Sequence, residues 1–312
     1  MRPLHITHLV DCGSKIGLGH LQRQLVLAEA LRAEGAVCRF GLSDPEVGIE
    51  LLPAAAETFV WDRTDLPRDE SDALVVDSYK VDPALLVPAG PVLVVMDDLA
   101  DRPVTADLLV NHNAYGDGCD YGAYSVKQVL AGPRYAMVSA AFRKLRHRPG
   151  EAILVNFGAT DDGRLSLDLV AALRAHLPDA PILVALMQVS PGHREALESL
   201  GAELRVGRPL EESIAEARVY VGAAGLSLLE ALVAGRRPVA CGIADNQRLN
   251  VAFLRRRGLP AFDRPRPQEM AQAAGECYVT QEGTDLAELD GLGAARVARA
   301  IIAAVRSRAK AP

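Results

Sequence analysis

The sequence predicts an α/β protein built from two parallel sheets, each covered by helices on both faces. Apolar runs of strand length recur between helical patterns, as at 73–79 and 91–98, and such runs are typical of strands buried on both faces. The alternation of strand and helix restarts after the basic, proline-containing stretch 143–150. The 312 residues are enough for two ordinary domains.

We therefore expect two Rossmann-like domains, at 1–147 and 148–312, that face each other across a cleft. A final alanine-rich helix, predicted at 289–305, is a candidate for packing back on the first domain. In parallel α/β sheets, ligands bind outside the carboxyl ends of the strands. Functional residues are expected at those ends.

The composition is typical of a globular protein without a nucleic-acid or membrane partner. Hydrophobic residues make up 49% of the chain and the net charge is -6, whereas nucleic-acid surfaces are usually basic. No apolar run is long enough to span a bilayer and the first residues lack a signal-peptide core, so we expect a cytoplasmic protein. Five scattered cysteines without a CxxC pair predict neither disulfides nor a zinc site, and we expect no metal or cofactor. The sequence leaves the oligomeric state open, and a monomer is compatible with it.

A glycine-rich loop at 13–19 delivers His20 to the start of a predicted helix. Gly17 and Gly19 allow a tight turn and a close approach of the backbone to a ligand. The free N–H groups at a helix N-terminus attract anions, and an imidazole titrates near neutral pH. Two interpretations fit this loop taken alone, a catalytic anion site or a strand–helix turn with a capping histidine.

Polar residues follow several predicted strands of the first half. They are Asp77, Tyr79, Asp97, Asp98, Asn111 and Asn113. Asp and Asn are common at strand ends because they form turns and cap helices, so each of them taken singly favours a structural role. Their convergence with His20 at one sheet edge favours function for Tyr79 and Asp97.

The second half contains another small-residue turn that opens directly into a helix, at 222–232. Its backbone N–H groups predict an anion site, to which Ser227 adds a hydroxyl. Glu230 lies three residues later, near the same face, where its carboxylate could accept two hydrogen bonds from the diol of a ribose. A structural alternative is a first-turn glutamate favoured by the helix dipole. The amides of Asn246 and Gln247 follow the next predicted strand.

Seven segments occur in an order and spacing that resemble a known enzyme family. They are IGLGHLQRQLVLAEAL, DSY, MDD, DLLVNHNAY, NFGATDD, GAAGLSLLEAL and DNQRLNVAFLRRRG. The series is similar to the UDP-2,4-diacetamido-2,4,6-trideoxy-β-L-altropyranose hydrolases of pseudaminic acid biosynthesis and to the related spore-coat polysaccharide proteins. The two-domain pattern resembles the GT-B fold of nucleotide-sugar enzymes.

The resemblance implies catalytic roles for three residues. His20 would activate water or position the reacting group, Tyr79 would act at the sugar, and Asn246 would face the substrate. The candidate substrate- and nucleotide-binding residues are Gly17, Gly19, Arg23, Asp97, Gly158, Thr160, Gly222, Ala224, Gly225, Leu226, Ser227, Glu230 and Gln247.

The function that follows is hydrolysis of a nucleotide-activated, UDP-linked amino or deoxy sugar to the free sugar and the nucleoside diphosphate. Water would attack the anomeric carbon with His20 as the base. Three alternatives stay open: a GT-B glycosyltransferase, a hydrolase of another nucleotide conjugate in secondary metabolism, and a nucleotide-sugar binding protein without catalysis.

Overall fold

The computed structural model describes residues 2–13, 19–44, 46, 51–54, 56–68, 71–146, 148, 150–280, 284 and 286–310. The chain divides into two compact units. The first comprises Met1–Met137 with Leu292–Pro312, and the second comprises Val138–Gly291. Each unit contains one sheet, and the paired strands in both sheets run parallel.

The strands are numbered in chain order. Those of the first unit are β1 His5–Val10, β2 Val37–Leu42, β3 Glu57–Val60, β4 Ala73–Asp77, β5 Val92–Met96, β6 Thr105–Asn111 and β7 Ser125–Ala131. Those of the second unit are β8 Ala152–Asn156, β9 Ile182–Leu186, β10 Glu203–Val206, β11 Ala217–Ala223, β12 Arg237–Cys241 and β13 Ala261–Phe262.

The helices are numbered in the same way. They are α1 Gly19–Ala33, α2 Ala140–Arg143, α3 Arg164–His176, α4 Pro191–Ser199, α5 Leu210–Glu216, α6 Leu226–Val233, α7 Arg248–Arg256, α8 Pro267–Val279 and α9 Gly293–Arg308. Within the described ranges, none of them combines the length and the apolar character that a bilayer-spanning helix requires.

The order of the strands creates one switch point in each sheet. The first sheet runs β3-β2-β1-β4-β5-β6-β7 and the second runs β10-β9-β8-β11-β12-β13. The chain moves outward in one direction from β1 and then in the other from β4, and in Rossmann-like sheets such a change of direction creates a crevice outside the carboxyl ends of the strands. The same holds for β8 and β11. These two crevices are where ligands of Rossmann-like sheets bind.

The alternation of side chains along the strands builds a core on each face of the first sheet. In β4, Val75 packs in one cluster with α1 and α9, whereas Leu74 and Val76 pack in the cluster on the opposite face. All five residues of β4 are buried, which explains the continuous apolar run in the sequence.

The last helix, α9, packs within the first unit. Val297, Ile301 and Ile302 belong to the same core cluster as Leu27 and Leu31 of α1. Burial of each of these large aliphatic side chains contributes about 2 kcal/mol, so α9 is an integral part of this unit's core.

Candidate active site

His20 lies at the switch point of the first sheet, paired with a buried carboxylate. It is the second residue of α1, and its Nδ1 lies 2.6 Å from Oδ1 of Asp77, the last residue of β4. Asp77 is fully buried, whereas His20 is 8% exposed. Nη2 of Arg23 lies 3.1 Å from the same nitrogen, but the carboxylate contact is shorter and a carboxylate can only accept, so this contact favours the neutral tautomer with the proton on Nδ1 and the lone pair on Nε2. The pair is therefore arranged to present a base.

Arg23, one turn further along α1, lies between two carboxylates. Its Nε donates to Asp77 at 2.7 Å and its Nη1 donates to both oxygens of Asp98, at 2.8 and 2.7 Å. Asp98 follows β5, the neighbour of β4. Because the N–H groups of the guanidinium donate to these protein carboxylates, Arg23 is suited to holding Asp77 and Asp98 in place.

The charges of this cluster stabilise one another. Burial alone raises the pKa of the Asp77 carboxyl, but the charges of Arg23 and His20 lower it well below its usual range. Burial also raises the pKa of Asp98, yet the Arg23 charge lowers it to about 2. Both carboxylates are thus ionised at neutral pH. Among the described residues, no group of three His, Cys, Asp or Glu side chains is arranged to hold a metal ion.

Tyr79 joins the same cluster from the loop after β4. Its hydroxyl donates a short hydrogen bond to Oδ2 of Asp98, and its ring stands edge-on to the His20 ring with the centroids 4.8 Å apart. Tyr79 is 37% exposed, in contrast to the buried Asp98. Burial and the nearby Asp98 charge raise the pKa of Tyr79 far above its usual value, which keeps the hydroxyl protonated.

Two buried histidines support the cluster without reaching solvent. His8 Nδ1 donates to Oε1 of Gln24 at 2.8 Å, and Nε2 of Gln24 donates to Asp77 at 2.8 Å. His112 Nε2 lies 2.8 Å from Nη1 of Arg23. Burial lowers the pKa of each imidazole to about 4, so both are neutral at pH 7.

Asp97 lies apart from this cluster, although it is the neighbour of Asp98. Its Oδ1 accepts from the backbone N of Leu99 and of Ala100, both at 3.1 Å, and its Oδ2 accepts from the Tyr124 hydroxyl at 2.6 Å. These contacts form a turn after β5. Both oxygens of Asp97 are therefore engaged in a structural role, which disfavours the ligand-binding role expected from the sequence.

A second ion pair lies at the same edge of the sheet. The Asp11 carboxylate, just after β1, accepts from Nε of Arg63 at 2.6 Å and from the Ser78 hydroxyl at 2.8 Å. Ser78 stands between Asp77 and Tyr79 in the chain. The Asp11 pair thus anchors the loop that carries Tyr79.

In the second unit, the turn after β8 is capped by the protein itself. Gly158 has a φ of +83°, which a glycine adopts without strain, and Thr160 is exposed. Oδ1 of Asp161 accepts from the backbone N of Gly163 and of Leu165, both at 3.1 Å. The first amides of α3 are therefore already satisfied by a carboxylate, which disfavours a phosphate directly on this helix end.

The turn after β11 differs because no side chain caps the helix that it opens. Gly225, the N-cap residue of α6, has no side chain that could cap the helix. Leu226 and Ser227, the first residues of α6, are partly exposed. Gly222 is required on packing grounds, since a Cβ at this position would lie 1.8 Å from the Asn156 carbonyl oxygen. This helix end is the better anion site of the two.

Residues in α7 and just before it lie against this turn. Nδ2 of Asn250 donates to the Ala224 carbonyl at 2.9 Å, while Oε1 of Gln247 accepts from the Ile243 backbone N at 3.0 Å. The Gln247 side chain lies close to Gly225, because a Cβ there would be 3.4 Å from its Nε2. Asn246 is exposed beside it.

Glu230 lies on α6, one turn after Ser227, and is partly exposed. Burial raises the pKa of its carboxyl to about 7. Glu230 therefore changes charge in the physiological range, and a ligand hydroxyl that donates to it would favour the ionised form.

The structure thus brings His20, Arg23 and Tyr79 together in the first unit, and Gly222 to Glu230 with Gln247 in the second. Gly19 opens α1, whereas Gly17 lies outside the described residues.

The sequence placed Asp77 and Asp98 at strand ends but favoured structural roles for them, and it did not single out Gln24 or His112. One signal was available: His20, Gln24, Leu27 and Leu31 fall on one stripe of α1, so a polar pair occupies a face that is otherwise apolar.

Solved structures with similar architecture define the fold class of the chain. The chain is similar to MurG of Acinetobacter baumannii (TM-score 0.64, 16% identity, covering 96% of this chain and 100% of that one). It is also similar to CalG4, the calicheamicin glycosyltransferase (TM-score 0.64, 16% identity, 100% of both chains). The structure of LpCGTa in complex with UDP gives a TM-score of 0.61 at 15% identity over 97% of this chain and 95% of that one. The chain therefore has two Rossmann-like parallel-sheet domains of the GT-B class, as the sequence predicted.

A sequence relative gives a more particular likeness. The chain is 28% identical over 174 residues to the UDP-2,4-diacetamido-2,4,6-trideoxy-beta-L-altropyranose hydrolase of Campylobacter jejuni subsp. jejuni serotype O:2. The match spans 52% of this chain and 63% of that enzyme's length. No protein-family model matches the chain.

Proposed function

We propose that this protein is an enzyme that hydrolyses a nucleotide sugar, with UDP as the nucleotide and an amino or deoxy sugar as the glycosyl group. The observation that carries the proposal is the His20–Asp77 pair, in which Nδ1 lies 2.6 Å from a fully buried carboxylate. This contact fixes the tautomer whose Nε2 can take a proton. The likeness to the Campylobacter hydrolase supports the substrate class.

In the proposed reaction, a water molecule attacks the anomeric carbon. One water proton passes to Nε2 of His20 as the new carbon–oxygen bond forms. The bond between the anomeric carbon and the diphosphate oxygen breaks, and its electron pair leaves with the diphosphate. Asp77 stabilises the imidazolium that results, since its carboxylate stays ionised.

The second unit is proposed to bind the nucleotide. The uncapped amides at the start of α6 would contact the diphosphate, with Ser227 adding a hydroxyl. Glu230 would accept hydrogen bonds from the ribose, and Gln247, whose Nε2 lies close to Gly225, would also contact the nucleotide. Gly158, Thr160 and Asn246 remain further candidates for ligand contact in this unit.

The test is turnover of UDP-2,4-diacetamido-2,4,6-trideoxy-β-L-altropyranose and of a panel of other UDP-sugars, with released UDP as the readout. We expect His20→Ala to lower kcat by about 10²–10⁴-fold and to leave UDP binding by calorimetry within about threefold. Unchanged turnover in this variant would exclude His20 as the base.

A glycosyltransferase is the second candidate, because CalG4, one of the structural neighbours, is named as one. The two reactions differ in the group that attacks the anomeric carbon. Release of free sugar from the nucleotide sugar alone supports hydrolysis. Release of UDP that needs an added acceptor supports transfer.

A further inference from the structure

The hydrogen-bond polarity of the Tyr79 hydroxyl is fixed by Asp98. Oδ2 of Asp98 accepts from Tyr79 and from Nη1 of Arg23, the latter at 2.7 Å. Oδ1 accepts from the same Arg23 nitrogen at 2.8 Å and from Nδ2 of Asn113 at 2.7 Å. The groups around this carboxylate are donors, and the positive charge of Arg23 keeps it ionised.

An ionised carboxylate has no proton to give, so Tyr79 has to be the donor in their contact. The phenol hydroxyl has one proton, and the hydrogen bond to Asp98 already uses it. The lone pairs of the oxygen remain, on a residue that is 37% exposed and whose ring touches His20. Toward any ligand at this edge of the sheet, Tyr79 can therefore only accept.

We propose that Asp98 is a positioning residue that holds Tyr79 as a hydrogen-bond acceptor, so that the ligand group read by Tyr79 is a donor, an O–H or N–H of the sugar. This inference rests on the proposed function for the kind of ligand, whereas the polarity itself depends only on the protein. It also assigns Tyr79 no proton transfer, because a tyrosine that cannot release its proton is neither an acid nor a base for the reaction.

The first experiment tests the polarity without any substrate. Tyrosinate absorbance near 295 nm is followed against pH for the wild type and for Tyr79→Phe, a variant that removes only one hydroxyl. We expect their difference to show no ionisation of Tyr79 up to about pH 11, since an ordinary tyrosine titrates near pH 10. A transition near pH 10 in this difference would overturn the proposal.

The same difference is then measured in a background in which the carboxylate is gone. Asp98→Asn removes the negative charge and leaves Arg23 nearby, while the burial that also raises the pKa of Tyr79 remains, so the Tyr79 transition should move to a lower pH than in the wild type. If Tyr79 shows no ionisation in the Asp98→Asn background either, Asp98 is not the group that keeps the Tyr79 hydroxyl protonated. If Asp98→Asn does not fold, a Tyr79 transition near pH 10 in the wild type would still overturn the proposal.

The second experiment is a double-mutant cycle on turnover of the UDP-sugar panel. Tyr79→Phe and Asp98→Asn should each lower kcat/KM by about tenfold, the value of one hydrogen bond. If Asp98 acts through Tyr79, adding Asp98→Asn to Tyr79→Phe should change kcat/KM by less than about twofold. Additive losses would show that Asp98 acts by another route and would overturn its assignment.

Asp107→Asn is the matched control. Asp107 is also a buried aspartate of this unit, near the start of β6, and it pairs with Arg308 at 2.5 Å and with Lys127 at 2.8 Å. Its variant should be less stable but should leave kcat/KM and the Tyr79 titration unchanged. Absence of turnover by the wild type on every UDP-sugar would refute the proposed function, while the titration would still decide the role of Asp98.

Discussion

Replacing Asp77 by asparagine should impair both folding and turnover, for separable reasons. Asp77 accepts from His20 Nδ1 at 2.6 Å, from Gln24 at 2.8 Å, and from Arg23 Nε and Nη2 at 2.7 and 2.5 Å. An asparagine keeps one acceptor oxygen for two of these donors and turns an amide N–H₂ toward the others. The substitution therefore loses a charge and creates a clash of donors.

The cost in stability follows from the partners that remain. Removing one member of a buried ion pair costs about 3–5 kcal/mol. Arg23 still has Asp98, so we expect the free energy of unfolding to fall by about 3 kcal/mol, the lower end of that range. Denaturant titration measures this change, with Asp107→Asn as the control for loss of a buried carboxylate elsewhere.

The cost in turnover follows from the tautomer of His20. An amide that faces Nδ1 with its N–H favours the ring with the proton on Nε2, which can no longer act as a base. We expect kcat to fall by about 10²–10⁴-fold at a temperature where the variant is folded. Nitrogen-15 NMR of the histidines reports the tautomer directly. A variant that keeps the wild-type tautomer and loses only stability would refute this reasoning.

UDP binding should strengthen as the pH rises through about 7, where Glu230 ionises, and Glu230→Gln should flatten this dependence in calorimetry. The raised pKa of Glu230 also means that its contribution to stability is present at low pH and is lost as the pH rises through 7. His8 has the opposite effect on stability, because its pKa is lowered to about 4. Its contribution to the free energy of unfolding is present above about pH 6.5 and is lost as the pH falls toward 4. His8→Asn should weaken this pH dependence in unfolding experiments. Gly222→Ala should lower the melting temperature markedly because its Cβ would lie 1.8 Å from the Asn156 oxygen, whereas Gly118→Ala, with nothing within 4 Å, should leave it nearly unchanged.

The elements of the fold could be predicted because local patterns determine them. Strands such as β4 and β5 are buried on both faces, so each is a continuous apolar run in the sequence. The small-residue turn before α6 is equally visible, since only a few residue types allow such a turn. These features need no long-range information.

The choice between neighbouring aspartates could not be made from the sequence. Asp97 and Asp98 both follow β5, and the chain must turn there in either case. In the structure, Asp97 holds the turn and Tyr124, while Asp98 faces Arg23 and Tyr79. This outcome depends on the pleat of β5 and on the side chains that adjacent elements bring to it.

The sequence by itself determined two parallel α/β domains and the placement of His20 at the start of a helix and of Tyr79 after a strand, because periodicity and turn chemistry are local. Only the tertiary structure decided which groups surround them. Asp77, Arg23 and Asp98 come from α1 and from the ends of β4 and β5, and their pairing depends on strand order and on burial. Burial at the switch point couples these charges, fixes the tautomer of His20 and commits the proton of Tyr79, and a linear pattern contains none of this information.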